Sequence, residues 1–122
     1  MCFILLKKDT RRAIKAKKDI TVYKIIYKNN YPVYGRLYIK NKRCKWEKGM
    51  WYTETDFPKR TLSRTVSRNG FHSFKDKDIA NFQLYWYMNC KISIFIIPKG
   101  AYYYENNTQY YSSDIIYLKD LK

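Results

Sequence analysis

Apolar side chains along this chain fall in short runs rich in β-branched and aromatic residues, parted by Asn, Gly and Pro. Ile20 to Tyr27 is such a run and reads as a strand. Asn29-Asn30-Tyr31-Pro32 breaks it, and Val33 to Ile39 reads as a second strand in hairpin with the first. Asn41-Lys42-Arg43 is a turn, and the weak alternation around Trp46 and Trp51 gives a third strand between Cys44 and Thr53. Glu54 to Asn69 is polar and carries Pro58 and four cations, so it reads as a long exposed loop of the kind that carries function. Gly70-Phe71-His72-Ser73-Phe74 leads into the one strong helix signal, at about residues 75–89. Ser73 stands at its N-cap, with Asp76 and Asp78 in the first turn, where the helix dipole favours them.

Cys90 to Ile97 is apolar on both faces, as a central strand is. Pro98-Lys99-Gly100 then turns the chain. Ala101 to Glu105 and Gln109 to Ser113 flank an Asn-Asn-Thr turn, and Asp114 to Leu118 is a last strand. Near the start, Asp9 to Lys18 reads either as one or two helical turns capped by Asp9 or Thr10, or as a basic loop. The expected fold class is α+β, mostly antiparallel sheet with one main helix.

With 122 residues, no internal repeat and no dividing linker, the chain reads as a single domain spanning 1–122. Hydrophobic residues make up 46% of it, enough for a packed core. The three cysteines (Cys2, Cys44 and Cys90) are widely spaced, with neither CxxC nor a Cys/His cluster, which argues against structural zinc and against a disulfide framework. The apolar start, Met1 to Leu6, is too short for a signal sequence, and no run approaches the roughly 20 apolar residues of a membrane span. A cytoplasmic protein is expected (in the host cell if phage-encoded), with no membrane partner, metal or cofactor.

Charge changes the picture most. The net charge is +15, of which +14 lies between Met1 and Arg68 and +1 in the remainder. Lys, Asn, Ile and Tyr are favoured by AT-rich codons, but the arginines and the scarcity of acids beside them are not so explained. Such asymmetry points to a polyanion partner. Arg36, Lys42, Arg43, Lys45, Arg60, Arg64 and Arg68 are the candidate phosphate contacts, with Trp46 and Tyr52 as stacking platforms for bases. The competing assignment for these rings is the core, with their polar tips at its rim. His72 is the only histidine, so any histidine chemistry runs through it; the competing role is a hydrogen-bonded structural residue at a strand end. No phosphate-binding glycine loop, dinucleotide fingerprint, zinc-protease motif or nucleophile elbow is present.

Two resemblances follow. Asp19-Ile20-Thr21-Val22-Tyr23-Lys24, Gly70-Phe71-His72-Ser73-Phe74 with Ala80, Ile97-Pro98-Lys99-Gly100-Ala101-Tyr102-Tyr103 and Ser113-Asp114-Ile115-Ile116 resemble small uncharacterised proteins of gut Bacteroidetes and their phages. The same order is similar in outline to the ADP-ribosyltransferase-like fold. That resemblance sets Lys24 where the family has Arg or His, His72-Ser73 in its second motif, and Asp114 where it has the catalytic Glu. Both outer positions differ from the family's, so it implies a cleft for NAD-like or nucleotide ligands rather than transfer.

The leading expectation is a non-enzymatic, phage-type accessory protein that binds nucleic acid or a nucleotide-like anion through its basic N-terminal half. One alternative is a degenerate transferase-like protein, using Lys24, His72 and Asp114, that sequesters a nucleotide signal or blocks a host defence complex. Another is a virion or host-complex component docking on an acidic protein surface.

Overall fold

The runs richest in Ile, Val, Tyr and Phe form the longest strands. In a computed structural model the chain is described over residues 3–4, 12–33, 38–39, 42–59, 65–66 and 70–121. The elements in order are β1 (Phe3–Ile4), β2 (Ile14–Lys15), β3 (Ile20–Tyr27), β4 (Tyr38–Ile39), β5 (Lys42–Arg43), β6 (Trp51–Thr53), β7 (Thr65–Val66), β8 (Phe71–Phe74), α1 (Lys77–Leu84), β9 (Cys90–Ile97), β10 (Tyr102–Glu105), β11 (Gln109–Ser112) and β12 (Asp114–Asp120). The fold is therefore mostly antiparallel sheet with one helix among the described residues. Among the described residues, no helix is long and apolar enough to cross a membrane.

Eight strands form one sheet in the order β2-β10-β11-β8-β3-β9-β12-β6. Its spine is β3 against β9, paired from Ile20↔Ile97 to Tyr27↔Cys90. By contrast β3 meets β8 through a single pair, Tyr23↔Phe74. The sheet is thus two four-stranded halves joined by a narrow seam. Chain length requires these halves to fold toward each other. β11 passes to β12 through Ser113 alone, a step of at most about 7 Å, although β8, β3 and β9 lie between them. A flat sheet would set those strands roughly 19 Å apart. Ser113 fixes the corner: its N–H donates to the Tyr102 carbonyl at 2.8 Å, and its hydroxyl accepts from the Tyr102 N–H at 3.0 Å.

Alternation along the strands sends Val22, Ile26, Phe95, Ile97, Ile115 and Tyr117 to the inner face, where they meet Trp46, Tyr52, Ala16 and Ala101. On the outer face α1 covers part of the sheet, packing Ala80 against Ile25, Phe74, Cys90 and Ile92. Phe57 covers Tyr104 and Tyr111 in a further outer cluster.

Several local expectations are corrected. Helix α1 is shorter than 75–89 and is capped by Asp76, whose carboxylate accepts from the Ile79 N–H at 2.9 Å; Ser73 is instead a buried strand residue. The helix ends at Leu84; Phe82 on it and Tyr85, Trp86 and Met88 beyond it are exposed, with the Tyr85 and Trp86 rings edge to face at 5.4 Å. No N-terminal helix forms at 12–18, where Ile14–Lys15 pairs with β10 instead. A helix there would set Arg12 and Lys18 each three residues from Lys15, a destabilising spacing for like charges; residues 9–11 lie outside the described residues. Of the expected hairpin of the first two strands, the described residues carry one bridge, Ile26↔Pro32; residues 34–37 lie outside the described residues. Lys42–Arg43 is strand rather than turn, pairing with Tyr38–Ile39. Only Trp51–Thr53 of the expected third strand is extended. Within the expected 54–69 loop, Thr65–Val66 pairs with Phe3–Ile4; 60–64 and 67–69 lie outside the described residues.

Candidate functional site

The inner row of β3 reads Val22, Lys24, Ile26, so strand alternation drives a cation toward the core. Lys24 sits at the seam. Beyond the Tyr23↔Phe74 pair, β3 and β8 part before Ser73 and His72 can join the ladder. The Lys24 amine spans that gap and donates to the His72 carbonyl. Its nitrogen lies 5.5 Å from the Trp46 ring centre and 5.9 Å from that of Phe95. Burial pushes the amine from its ordinary 10.5 down to about 7.

A polar row continues from Lys24 across the second half-sheet. Ser93 is opposite Lys24, and its hydroxyl donates to Asp120 Oδ1 at 2.8 Å. Tyr117 donates to the same oxygen, Lys91 holds Oδ2 at 2.9 Å, and Lys48 stands 3.9 Å from Oδ2. Burial opposes ionisation of Asp120, but hydrogen bonds from Tyr117, Lys91 and Ser93, with the Lys91 charge, outweigh it and hold the carboxyl at about 2.

On the same inner side lie three buried polar groups without a hydrogen-bond partner among the described residues: the Trp46 indole N–H, the Ser73 hydroxyl and the Ser112 hydroxyl. Each such group costs about 1–3 kcal/mol.

A second feature lies at the edge of the first half-sheet. Lys15 on β2 pairs with Tyr102, and Arg12, Lys15, Lys17 and Lys18 are all exposed. The Ala13 N–H donates to the Lys59 carbonyl at 2.8 Å, which brings Lys59 alongside, its amine 4.6 Å from the Tyr102 ring centre. The Gly100 N–H donates to the Ala16 carbonyl at 2.8 Å, which brings Lys99 to the same edge. Asp19 is the carboxylate of this segment, and it accepts from the Lys99 backbone N–H at 2.8 Å. The described ion pairs engage Lys48, Lys75 and Lys91, none of them at this edge.

Of the sequence-derived candidates, Lys24 and His72 come together, though through the His72 backbone; the His72 ring packs on Tyr111 at 4.7 Å. Asp114 does not join them. It lies at the far end of β12, roughly 15–20 Å along the strand from Asp120. There it accepts from Trp51 Nε1 at 2.6 Å, Thr53 at 2.8 Å and the Ser113 hydroxyl at 2.5 Å. Its parity with Ile116, opposite to Ile115 and Tyr117, also sets it on the other face. The transferase-like trio is therefore not assembled.

Trp46 and Tyr52 are corrected as stacking platforms. They are 3% and 4% exposed, and their rings meet edge to face at 4.7 Å. The Tyr52 hydroxyl accepts from the Glu47 N–H at 2.7 Å, so the amphipathic ring serves the core with its tip satisfied at the rim. Lys45 is exposed over Tyr31, and Lys42 and Arg43 form β5. Arg36, Arg60, Arg64 and Arg68 lie outside the described residues.

The described cations sit on several elements. Lys15, Lys17, Lys18, Lys59 and Lys99 line one edge, Lys45 and Lys48 lie in the 44–50 segment, and Lys24 turns inward. Sequence reasoning read Asp9 to Lys18 as helical turns or a basic loop without placing Lys15, Lys17 and Lys18 in a site, did not join Lys59 and Lys99 to them, and missed Ser93 and Asp120. A signal was present: Lys24 interrupts an otherwise apolar inner row of β3, and the inner row of β9 opens with two polar residues, Lys91 and Ser93. The chain matches no protein-family model, no curated protein and no solved structure.

Proposed function

We propose that this protein is a non-enzymatic binder of polyanions that holds single-stranded nucleic acid along its β2 edge. The observation that carries this reading is the company of Lys15, Lys17, Lys18, Lys59 and Lys99 at one sheet edge with Asp19 as the accompanying carboxylate, in a chain of net charge +15. Clustered exposed cations repel one another until counterions or a polyanion compensate them, and phosphate binding releases those counterions. Tyr102, beneath Lys59, gives the edge an aromatic neighbour of the kind on which bases stack.

Fluorescence anisotropy with a labelled single-stranded oligonucleotide tests the reading. Replacing Lys15, Lys17 and Lys18 together by Gln should lower affinity by roughly tenfold or more at about 0.1 M salt, since each lost phosphate contact removes a share of the counterion term. Affinity equal to that of the unsubstituted chain would overturn it. A trio of Lys24, His72 and Asp114 is not part of the proposal, because Asp114 is committed to Trp51, Thr53 and Ser113.

A further inference from the structure

We propose that the seam between the half-sheets is an oxyanion site, where the Lys24 amine, the Ser73 hydroxyl and the Trp46 indole N–H together receive a carboxylate or phosphate group of a small acidic ligand. The argument begins with what these groups lack. Ser73 is 2% exposed and Trp46 is 3% exposed, and neither polar group has a protein partner among the described residues. Buried polar groups are satisfied in the great majority of native structures, so two beside one buried amine call for an acceptor.

Geometry brings them together. Strand alternation puts Ser73 on the inner face with Lys24, and the amine reaches across the gap to the carbonyl of His72, the residue before Ser73. The Trp46 ring centre lies 5.5 Å from that amine. A third buried hydroxyl, Ser112, stands opposite Phe71, whose ring is 6.0 Å from that of Trp46.

The chemistry is one-sided. Indole N–H and ammonium donate only, and a serine hydroxyl can donate, so the set suits an acceptor carrying negative charge. The carboxylate in the same row, Asp120, is held by Lys91, Ser93 and Tyr117 and is not positioned to serve as that acceptor. Lys24 lies at the seam, where β3 and β8 share a single ladder pair, Tyr23↔Phe74. The site lies on the inner face, away from the β2 edge, and stands independently of nucleic-acid binding there.

The test follows the Trp46 indole N–H by nitrogen–proton correlation NMR, with Trp51→Phe and Trp86→Phe used for assignment. Sodium sulfate and sodium acetate are titrated separately against sodium chloride at matched ionic strength. We expect a saturable shift of the Trp46 resonance with sulfate, acetate or both, and little movement of Trp51 or Trp86. The anion that acts tells a phosphate-like ligand from a carboxylate. Lys24→Met and Ser73→Ala should each weaken the response at least several-fold, with the dispersed indole signal reporting that each variant is folded. The Lys15, Lys17 and Lys18 triple Gln variant should retain it, which separates this site from the basic edge. A Trp46 resonance unmoved by both anions overturns the proposal, as does an equal response in folded Ser73→Ala and Lys24→Met chains.

Discussion

At Gly70 a single hydrogen in place of a side chain decides the local packing. A Cβ built there would lie 2.5 Å from Cζ of Tyr111, a ring with no exposed surface. That ring cannot retreat, because Phe57 stacks on it at 5.5 Å and His72 packs on it at 4.7 Å. Gly70→Ala should therefore destabilise the fold by about 1–3 kcal/mol, read as a lowered urea midpoint; an unchanged midpoint would show that the ring yields. Lys24 makes the opposite kind of prediction. Its folded pKa of about 7 lies below the ordinary 10.5, so between these values the unfolded chain binds the additional proton. Stability should then rise with pH from about 7 toward 10, at up to about 1.4 kcal/mol per pH unit from this group, with no slope from it below 7. Lys24→Met should flatten that rise in urea titrations at pH 6, 8 and 9.5. Parallel curves for the two chains would contradict the assignment. The fate of Trp46 and Tyr52 was the least legible feature at this scale. An aromatic beside a lysine reads equally as a stacking platform or as core, and only the inward fold of the half-sheets turns these two inside.

At the scale of elements, legibility followed length. Ile20–Tyr27 and Cys90–Ile97 were read with the bounds they have, because β-branched and aromatic residues fill seven of the eight positions in the first and five of the eight in the second. The Asn106 turn was also legible: its side chain accepts from the Thr108 and Gln109 N–H groups at 3.0 and 2.8 Å, the local bonding that makes Asn a turn residue. Two-residue strands carry no such pattern and depend on partners far away in sequence. The helix was legible in kind but not in extent. Apolar residues from Phe82 to Met88 suggested continuation, whereas the covered part of α1 ends with Leu84. Since Asp76 rather than Ser73 caps the helix, Asp76→Ala should cost about 1 kcal/mol, measurable in thermal unfolding. Ser73→Ala should leave helix content by circular dichroism unchanged; a loss of helix there would restore Ser73 as the cap.

Across the whole molecule, sequence gave the class of fold and the sign of the charge but not the placement of either. The seam and the one-residue corner at Ser113 arise from strand order, which no local pattern encodes. The basic excess was plain by counting, yet its lysines divide among an edge, the 44–50 segment and the interior once the sheet curls. The edge remains the surface on which the functional account rests. Its most direct test is the slope of log affinity for a single-stranded oligonucleotide against log salt concentration, compared between the original chain and the Lys15, Lys17 and Lys18 triple Gln variant. With a counterion term of about 0.7 per phosphate contact on single strands, the variant should lose roughly two units of slope. Identical slopes for the two chains would contradict binding at this edge.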